Sequence, residues 1–201
     1  MRKHALALGI TAVLFAASGC TKGNGQTDGN GTQAQTPAAK KVAGTKTIAA
    51  GLAPGSKFVA AAKFAGLDQT LAGPGPYTVL VPDDAAFAGA PAGTFDTKPE
   101  NRAKVTSVLT NLILSGTVLT SDIDKAIEQG KGKAPLAMVG GGTLTASKEN
   151  GKIVFADSSG HKATITQGDE QFSNGVVHRV NALLMPSSQS NAPAVGQKAG
   201  Q

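Results

Sequence analysis

The chain has 201 residues, 40% of them hydrophobic but only 4% aromatic, with no Trp and one Tyr, so a core must be built from Val, Leu, Ile, Ala and seven Phe. Once the flanks are set aside, that length supports one domain of ordinary size. The formal charge is +6; its basic residues are scattered and not interleaved with aromatics, which argues against a nucleic-acid surface, and a single Cys rules out an internal disulfide.

Arg2 and Lys3 open the chain, and Ala5 to Ala17 follow as an apolar stretch shorter than the roughly 20 residues of a membrane span. Ala17-Ser18-Gly19-Cys20 comes next. It resembles the bacterial lipoprotein signal, in which small residues precede a Cys that is acylated and becomes the first residue of the mature chain, although a Leu is most usual where Ala17 stands. On this reading residues 1–19 are a signal peptide and Cys20 is the lipidation site. The alternative is ordinary cleavage after Ala16-Ala17-Ser18, leaving Cys20 a free thiol. A single acyl chain binds membranes with an association constant of only about 10⁴ M⁻¹, whereas the several chains of the lipoprotein family hold stably. Thr21 stands where Asp often signals inner-membrane retention, which favours the outer membrane, on its periplasmic or surface side. Loss of Arg2 and Lys3 leaves 17 basic against 13 acidic side chains.

Thr21 to Thr45 hold Gly, Asn, Gln, Thr, Ala and Lys, with Val42 the only sizeable apolar residue. Such a segment cannot bury enough surface to offset its ordering entropy. Residues 20–45 are therefore expected to be a flexible linker, spanning roughly 25–30 Å as a coil. Residues 187–201 have the same character and are expected to be a disordered tail.

Between them, residues 46–186 carry the pattern of a folded domain. Ser56 is a plausible N-cap for a helix over Lys57 to Leu67, with Phe58, Val59, Ala62 and Leu67 near one face. Gly73-Pro74-Gly75-Pro76 breaks the chain, and Tyr77 to Val81 forms a strand ended at Pro82. Asp83-Asp84-Ala85-Ala86-Phe87 reads as a turn into a short helix, with carboxylates where the N-terminal dipole favours them. Gly89 to Thr97 is loop. Pro99 opens another helix with Val105, Val108, Leu109 and Leu112 as its stripe. Thr117 to Leu119 reads as a short extended piece, and Ser121 as the cap of a helix over Asp122 to Gln129. The period then switches to two. Leu136 to Val139 and Thr143 to Ser147 form a hairpin across Gly140-Gly141-Gly142. Asn150-Gly151 is a tight turn into a strand over Lys152 to Ala156, and Asp157 to His161 turns into another over Lys162 to Thr166.

Asn174 to Pro186 is the longest apolar run after the N-terminus. It reads as a strand entered by an Asn-Gly turn and stopped by Pro, with Val176, His178, Val180, Ala182 and Leu184 on one face and Val177, Arg179, Asn181 and Leu183 on the other. Both faces are largely apolar, so this is a central strand, and Tyr77 to Val81 is its expected partner. Helices, then a meander, then a central strand make an α+β domain.

Four segments resemble the fasciclin (FAS1) domain family. Tyr77 to Phe87 is similar to its first signature, with Thr78, Pro82, Asp83, Asp84 and Phe87 in place and Val81 where an Ala is usual. Asn174-Gly175-Val176-Val177-His178 and the apolar run to Pro186 resemble the second. Thr117 to Ile123 and Gly141 to Thr145 fit the middle. The resemblance implies a β-wedge of about seven strands with several helices packed on it, and an adhesion or matrix module, which in bacteria is secreted or anchored at the surface. Asn111-Leu112 replaces the family's Tyr-His pair. Gln167 and Glu170 stand where apolar residues are common. In some animal members an Asp-Ile pair in that loop contributes to integrin binding; here Asp169 is followed by Glu170, and integrin binding is not carried over.

His178 admits two readings: a catalytic base, or a buried neutral imidazole bonded to Thr78, Asp83 or Asp84. His161 sits in a polar turn. Two His and at most one Cys in the mature chain cannot assemble a zinc cluster of usual spacing, so no metal is expected. No G-x-S-x-G, H-E-x-x-H or P-loop occurs, and Gly140-Gly141-Gly142 does not open a helix, so it is no phosphate cradle. The expectation is a non-catalytic, extracytoplasmic module of a bacterial cell envelope, held to the membrane by lipidated Cys20. It would bind an envelope, matrix or cell-surface protein or glycan, with no cofactor. The alternative is a carrier of a small apolar ligand, carotenoid- or lipid-like. A third reading is a hydrolase using Ser or Asp with His178.

Overall fold

The computed structural model describes residues 44–185, so Cys20, most of the linker, Pro186 and the C-terminal tail lie outside the described residues. Five helices, α1 (Ile48–Gly51), α2 (Lys57–Ala65), α3 (Asp68–Ala72), α4 (Arg102–Thr110) and α5 (Thr120–Gln129), accompany seven strands. The strands are β1 (Tyr77–Pro82), β2 (Ile113–Ser115), β3 (Lys133–Ala137), β4 (Thr143–Glu149), β5 (Lys152–Ala156), β6 (Lys162–Phe172) and β7 (Gly175–Val180). Short 3₁₀ segments cover Asp84–Gly89 and Pro99–Asn101. This is the expected α+β wedge.

The strand order is β2-β1-β7-β6-β5-β4-β3. Neighbours are antiparallel except for β1 and β7, which run parallel in register from Tyr77 opposite Gly175 to Pro82 opposite Val180. A parallel pair needs a crossover connection; here it is the entire chain between the two strands. Each has a neighbour on both edges, which is why both read as near-continuous apolar runs. Gly175 is required by that contact: a Cβ there would stand 2.0 Å from the Tyr77 carbonyl oxygen. At the far ends the sheet nearly closes on itself. Leu114 bridges Met138, and the Val139 N–H donates to the Ile113 carbonyl at 2.7 Å.

The meander β3 to β7 follows the expected order, with Asn150 (φ 48°) and Gly151 (φ 76°) supplying the left-handed turn between β4 and β5. β6 runs to Phe172, beyond the expected end at Thr166, and it does so through register shifts at Ile165/Gln167 and Gln167/Glu170. Gly168 and Asp169 fall inside this bulged stretch.

The helices cover the sheet with the faces that the periodicity marks. Phe58, Val59, Ala61 and Ala62 of α2 are buried, as are Val105, Val108 and Leu109 of α4 and Ile123 and Ile127 of α5. They meet Val79, Leu80, Phe155, Val177 and Val180 in one core. α2 is capped twice: the Ser56 hydroxyl accepts from the Val59 N–H, and the Asp84 carboxylate accepts from the Lys57 N–H at 2.8 Å. Asp84 thus satisfies the start of a different helix, while neither Asp83 nor Asp84 caps its own 3₁₀ segment through the side chain.

Several further boundaries depart from the sequence reading: α2 ends at Ala65 rather than Leu67, and β3 covers Lys133–Ala137 rather than Leu136 to Val139. α1 and α3 are single turns, too short to show a period. α5 begins at Thr120 rather than after Ser121, because the Thr120 N–H is met by a carboxylate from β6. The strand near the middle of the chain is Ile113–Ser115, not Thr117 to Leu119, whose backbone is bonded by side chains instead. β7 stops at Val180: Asn181 exchanges bonds with Thr164 through both its N–H and its side-chain oxygen, and Leu183 and Leu184 are buried without joining the ladder.

Candidate functional site

The two signature segments lie side by side as β1 and β7, and three clusters of polar contacts form along them. At the entry to β7, Asn174 is buried and uses its whole amide. Its oxygen accepts from the Ile48 N–H at 2.8 Å, and its nitrogen donates to the Leu71 and Gly73 carbonyls, each at 2.8 Å. One side chain thereby ties the start of α1 and the end of α3 to the central strand. At the opposite end, Pro82 closes β1, the Asp83 N–H donates to the Val180 carbonyl at 2.9 Å, and Asp84 reaches α2. Phe87 is buried, edge-on to Phe95 with centroids 4.9 Å apart.

The middle cluster holds His178. Thr78 is 1% exposed and His178 0%. The Thr78 hydroxyl donates to the Gly116 carbonyl and accepts from the Val118 N–H, both at 2.8 Å. His178 Nδ1 accepts from the Asp169 N–H at 3.1 Å, which leaves the ring proton on Nε2, and Nε2 donates to the Val118 carbonyl at 2.8 Å. Residue 118 is therefore held at its N–H by β1 and at its carbonyl by β7. The ring's partners are backbone groups of Val118 and Asp169, not the side chains of Thr78, Asp83 or Asp84. Burial lowers the imidazole pKa below its ordinary value, outweighing the bond to Val118 and the fields of Asp169 and Glu170, which favour the proton.

Asp169 occupies the left-handed region at φ 61°. Its carboxylate accepts from the Thr120 N–H at 2.8 Å and from the Thr120 hydroxyl. It thus satisfies an orphan donor at the start of α5 and places negative charge at that N-terminus. Beside it, Glu170 pairs with Arg179 at 2.6 Å. Thr120, Val118 and Asp169 are the members of this cluster that sequence reasoning did not assign to His178. A Gly-Asp pair inside a strand pattern is the signal that marks such a bulge; what it bonds to depends on an element almost fifty residues away.

Chemically, the cluster is closed. A general base needs a nitrogen within reach of a substrate proton, and both ring nitrogens of His178 are committed to backbone groups in a buried setting. Among the described residues, no group of three or more His, Cys, Asp or Glu is placed to hold a metal ion. His161 bonds to the buried Asp157 carboxylate at 2.8 Å, and that carboxylate also accepts from the Ser159, His161 and Met185 N–H groups. These contacts order the turn between β5 and β6.

A groove of about 370 Å³ lies apart from this cluster, between α2, α4 and the loop after the first signature. Phe64, Phe87, Phe95, Ala61 and Val105 line it, with Lys57 and Asp96 among its polar residues. The loop that forms one wall was expected only as a connection.

A wedge-shaped mixed sheet, stitched by two parallel signature strands and carrying helices on its face, defines the class of protein. The Fasciclin domain family model matches residues 54–186, and the chain belongs to this family. It is 33% identical to protein sll1483 of Synechocystis sp. (strain ATCC 27184 / PCC 6803 / Kazusa) over 69% of this chain and 71% of that protein. It is 28% identical to the transforming growth factor-beta-induced protein ig-h3 of Sus scrofa, over 65% of this chain but only 17% of that much longer protein. The fold is shared with a FAS1 domain pair from the insect cell adhesion molecule Fasciclin I, at a TM-score of 0.55 and 18% identity, covering 71% of this chain and 51% of that one.

Proposed function

We propose that this chain is a non-catalytic fasciclin module of a bacterial cell envelope, anchored by lipid at Cys20, which binds an envelope, matrix or cell-surface protein or glycan. The observation that carries the non-catalytic reading is the commitment of both nitrogens of His178 to Val118 and Asp169. Family membership and the adhesion protein that shares the fold support an interaction role. Among the described residues no helix is long and apolar enough to cross a membrane, so membrane attachment on this reading rests on Cys20. The test is fractionation of cells expressing the wild type or Cys20→Ser. The wild type is expected in the membrane fraction with an acylated N-terminal Cys by mass spectrometry, and the variant in the soluble fraction. An unmodified mature chain beginning at another residue defeats the anchor. Cross-linking and pull-down from the native envelope identify the partner.

A second reading, a carrier of a small apolar ligand, is favoured by the groove lined by Phe64, Phe87 and Phe95, whose volume is in the range of small-molecule sites. Organic extraction of protein purified from its native envelope, followed by mass spectrometry, distinguishes the two readings. A stoichiometric pigment or lipid lost in Phe64→Ser supports the carrier, and an empty extract supports the interaction module.

A further inference from the structure

His178 stands where β7, the bulge of β6, the 116–119 segment and the start of α5 meet. Its two hydrogen bonds, Nδ1 from the Asp169 N–H and Nε2 to the Val118 carbonyl, admit only the neutral ring. A proton on Nδ1 would set a second N–H against that of Asp169, turning an attraction into a repulsion. The group that would have to yield is already in a constrained place. Asp169 lies at φ 61° beside a register shift, and Gly168 is packed so closely that a Cβ there would stand 2.6 Å from the Thr120 methyl and 3.6 Å from His178 Nδ1. The same Asp169 holds the N–H and hydroxyl of Thr120. One residue therefore links the ring to the first turn of a helix.

We propose that His178 is the pin of an acid-released latch: protonation of Nδ1 expels the 167–170 bulge and, through Asp169, frees the first turn of α5, while the rest of the sheet stays closed. Titratable groups on the elements around the ring are Lys162, Asp169 and Glu170 on β6, Arg179 on β7, Asp122, Asp124, Lys125 and Glu128 on α5, and Tyr77 at the start of β1. Of these, Asp169 and Glu170 favour the proton, and burial outweighs them. The sign follows from linkage. The opened ring titrates near 6.5 and the closed ring below it, so the open form binds more protons. The latch is fully closed above about pH 6.5 and weakens as pH falls from there towards the depressed pKa of the closed state.

The test is amide hydrogen exchange of the full chain between pH 8 and 5, expressed as protection factors. Protection at the Asp169 and Thr120 amides is expected to fall by up to about tenfold per pH unit below about 6.5, while amides of β4 and β5 hold theirs. Protection that is flat with pH, or that falls equally throughout the domain, overturns the latch. His178→Gln removes the titrating ring and is expected to abolish the local slope. Asp169→Asn is expected to retain it, and loss of the slope in that variant assigns the proton to the carboxylate instead. If His178→Gln does not fold, the wild-type ring titration by NMR decides: its midpoint must lie below the ordinary value, at the pH where the loss of protection levels off, and a ring titrating at the ordinary value with no local change defeats the proposal.

Discussion

Residue 118 is gripped from two strands, by the Thr78 hydroxyl at its N–H and by the His178 ring at its carbonyl. Removing either partner leaves a buried backbone group unsatisfied, which costs about 1–3 kcal/mol. His178→Ala is expected to lower the melting temperature by several degrees, and Thr78→Val, which keeps shape but not the hydroxyl, by a similar amount. Because both act on the same peptide unit, a double-mutant cycle read by chemical denaturation should show coupling of about 0.5–3 kcal/mol. Strict additivity would mean that the two bonds do not share a common element. Asn174 offers a contrast at the same scale. Its amide bonds three backbone groups from two helices, so Asn174→Ala is expected to cost more than either change at residue 118, with exchange rising at Ile48.

At the scale of elements, α2 draws its N-terminal stability from outside itself. Ser56 is a local cap that sequence shows directly, whereas Asp84 arrives from the end of the first signature and meets a different N–H. Asp84→Ala is expected to destabilise by about 0.5–2 kcal/mol, in the range of N-cap losses, and to add to Ser56→Ala because the two acceptors serve separate donors. Equal stability of Asp84→Ala and the wild type in urea would show that water replaces the carboxylate. The β1–β7 pair has a different vulnerability. A methyl at residue 175 meets the Tyr77 carbonyl at 2.0 Å, so Gly175→Ala must push the two signature strands apart, with a loss at or above the usual 1–3 kcal/mol of overpacking, taken as about 3 kcal/mol. Circular dichroism with thermal melting checks it.

For the whole molecule, the sheet nearly closes between Leu114 and Met138, and the parallel β1–β7 pair joins the two ends of the excursion. Such non-local pairing predicts slow folding relative to a helical bundle of the same length, on the order of milliseconds to seconds, which stopped-flow refolding measures. The composition of residues 20–45 and 187–201 leads to a further expectation at this scale. Deleting residues 21–43 and 187–201, which spares Gly44 where it packs against Gln171 and Phe172, should leave the melting temperature within about 2 °C of the full chain, since so little apolar area is there to lose.

Much of this protein was legible in its sequence because the signals are local. The meander shows as period-two runs, Asn150-Gly151 as a tight turn, α4 and α5 as stripes at helical spacing, and β1 and β7 as apolar runs too continuous for an outer strand. Two signature motifs added the family. Other features required the tertiary structure, for a common physical reason: they depend on which distant groups satisfy a polar atom. The start of α5 is set by Asp169, that of α1 is supported by Asn174, and the extended segment at 117–119 is held by side chains, so it forms no strand. In the sequence His178 reads either as a catalytic base or as a buried neutral imidazole, yet its tautomer and its actual partners, the backbone of Val118 and Asp169, sixty residues before and nine before it, come only from the tertiary structure. Local pattern determined the elements; the long-range pairing of buried donors with acceptors decided where they end and what the site between them can do.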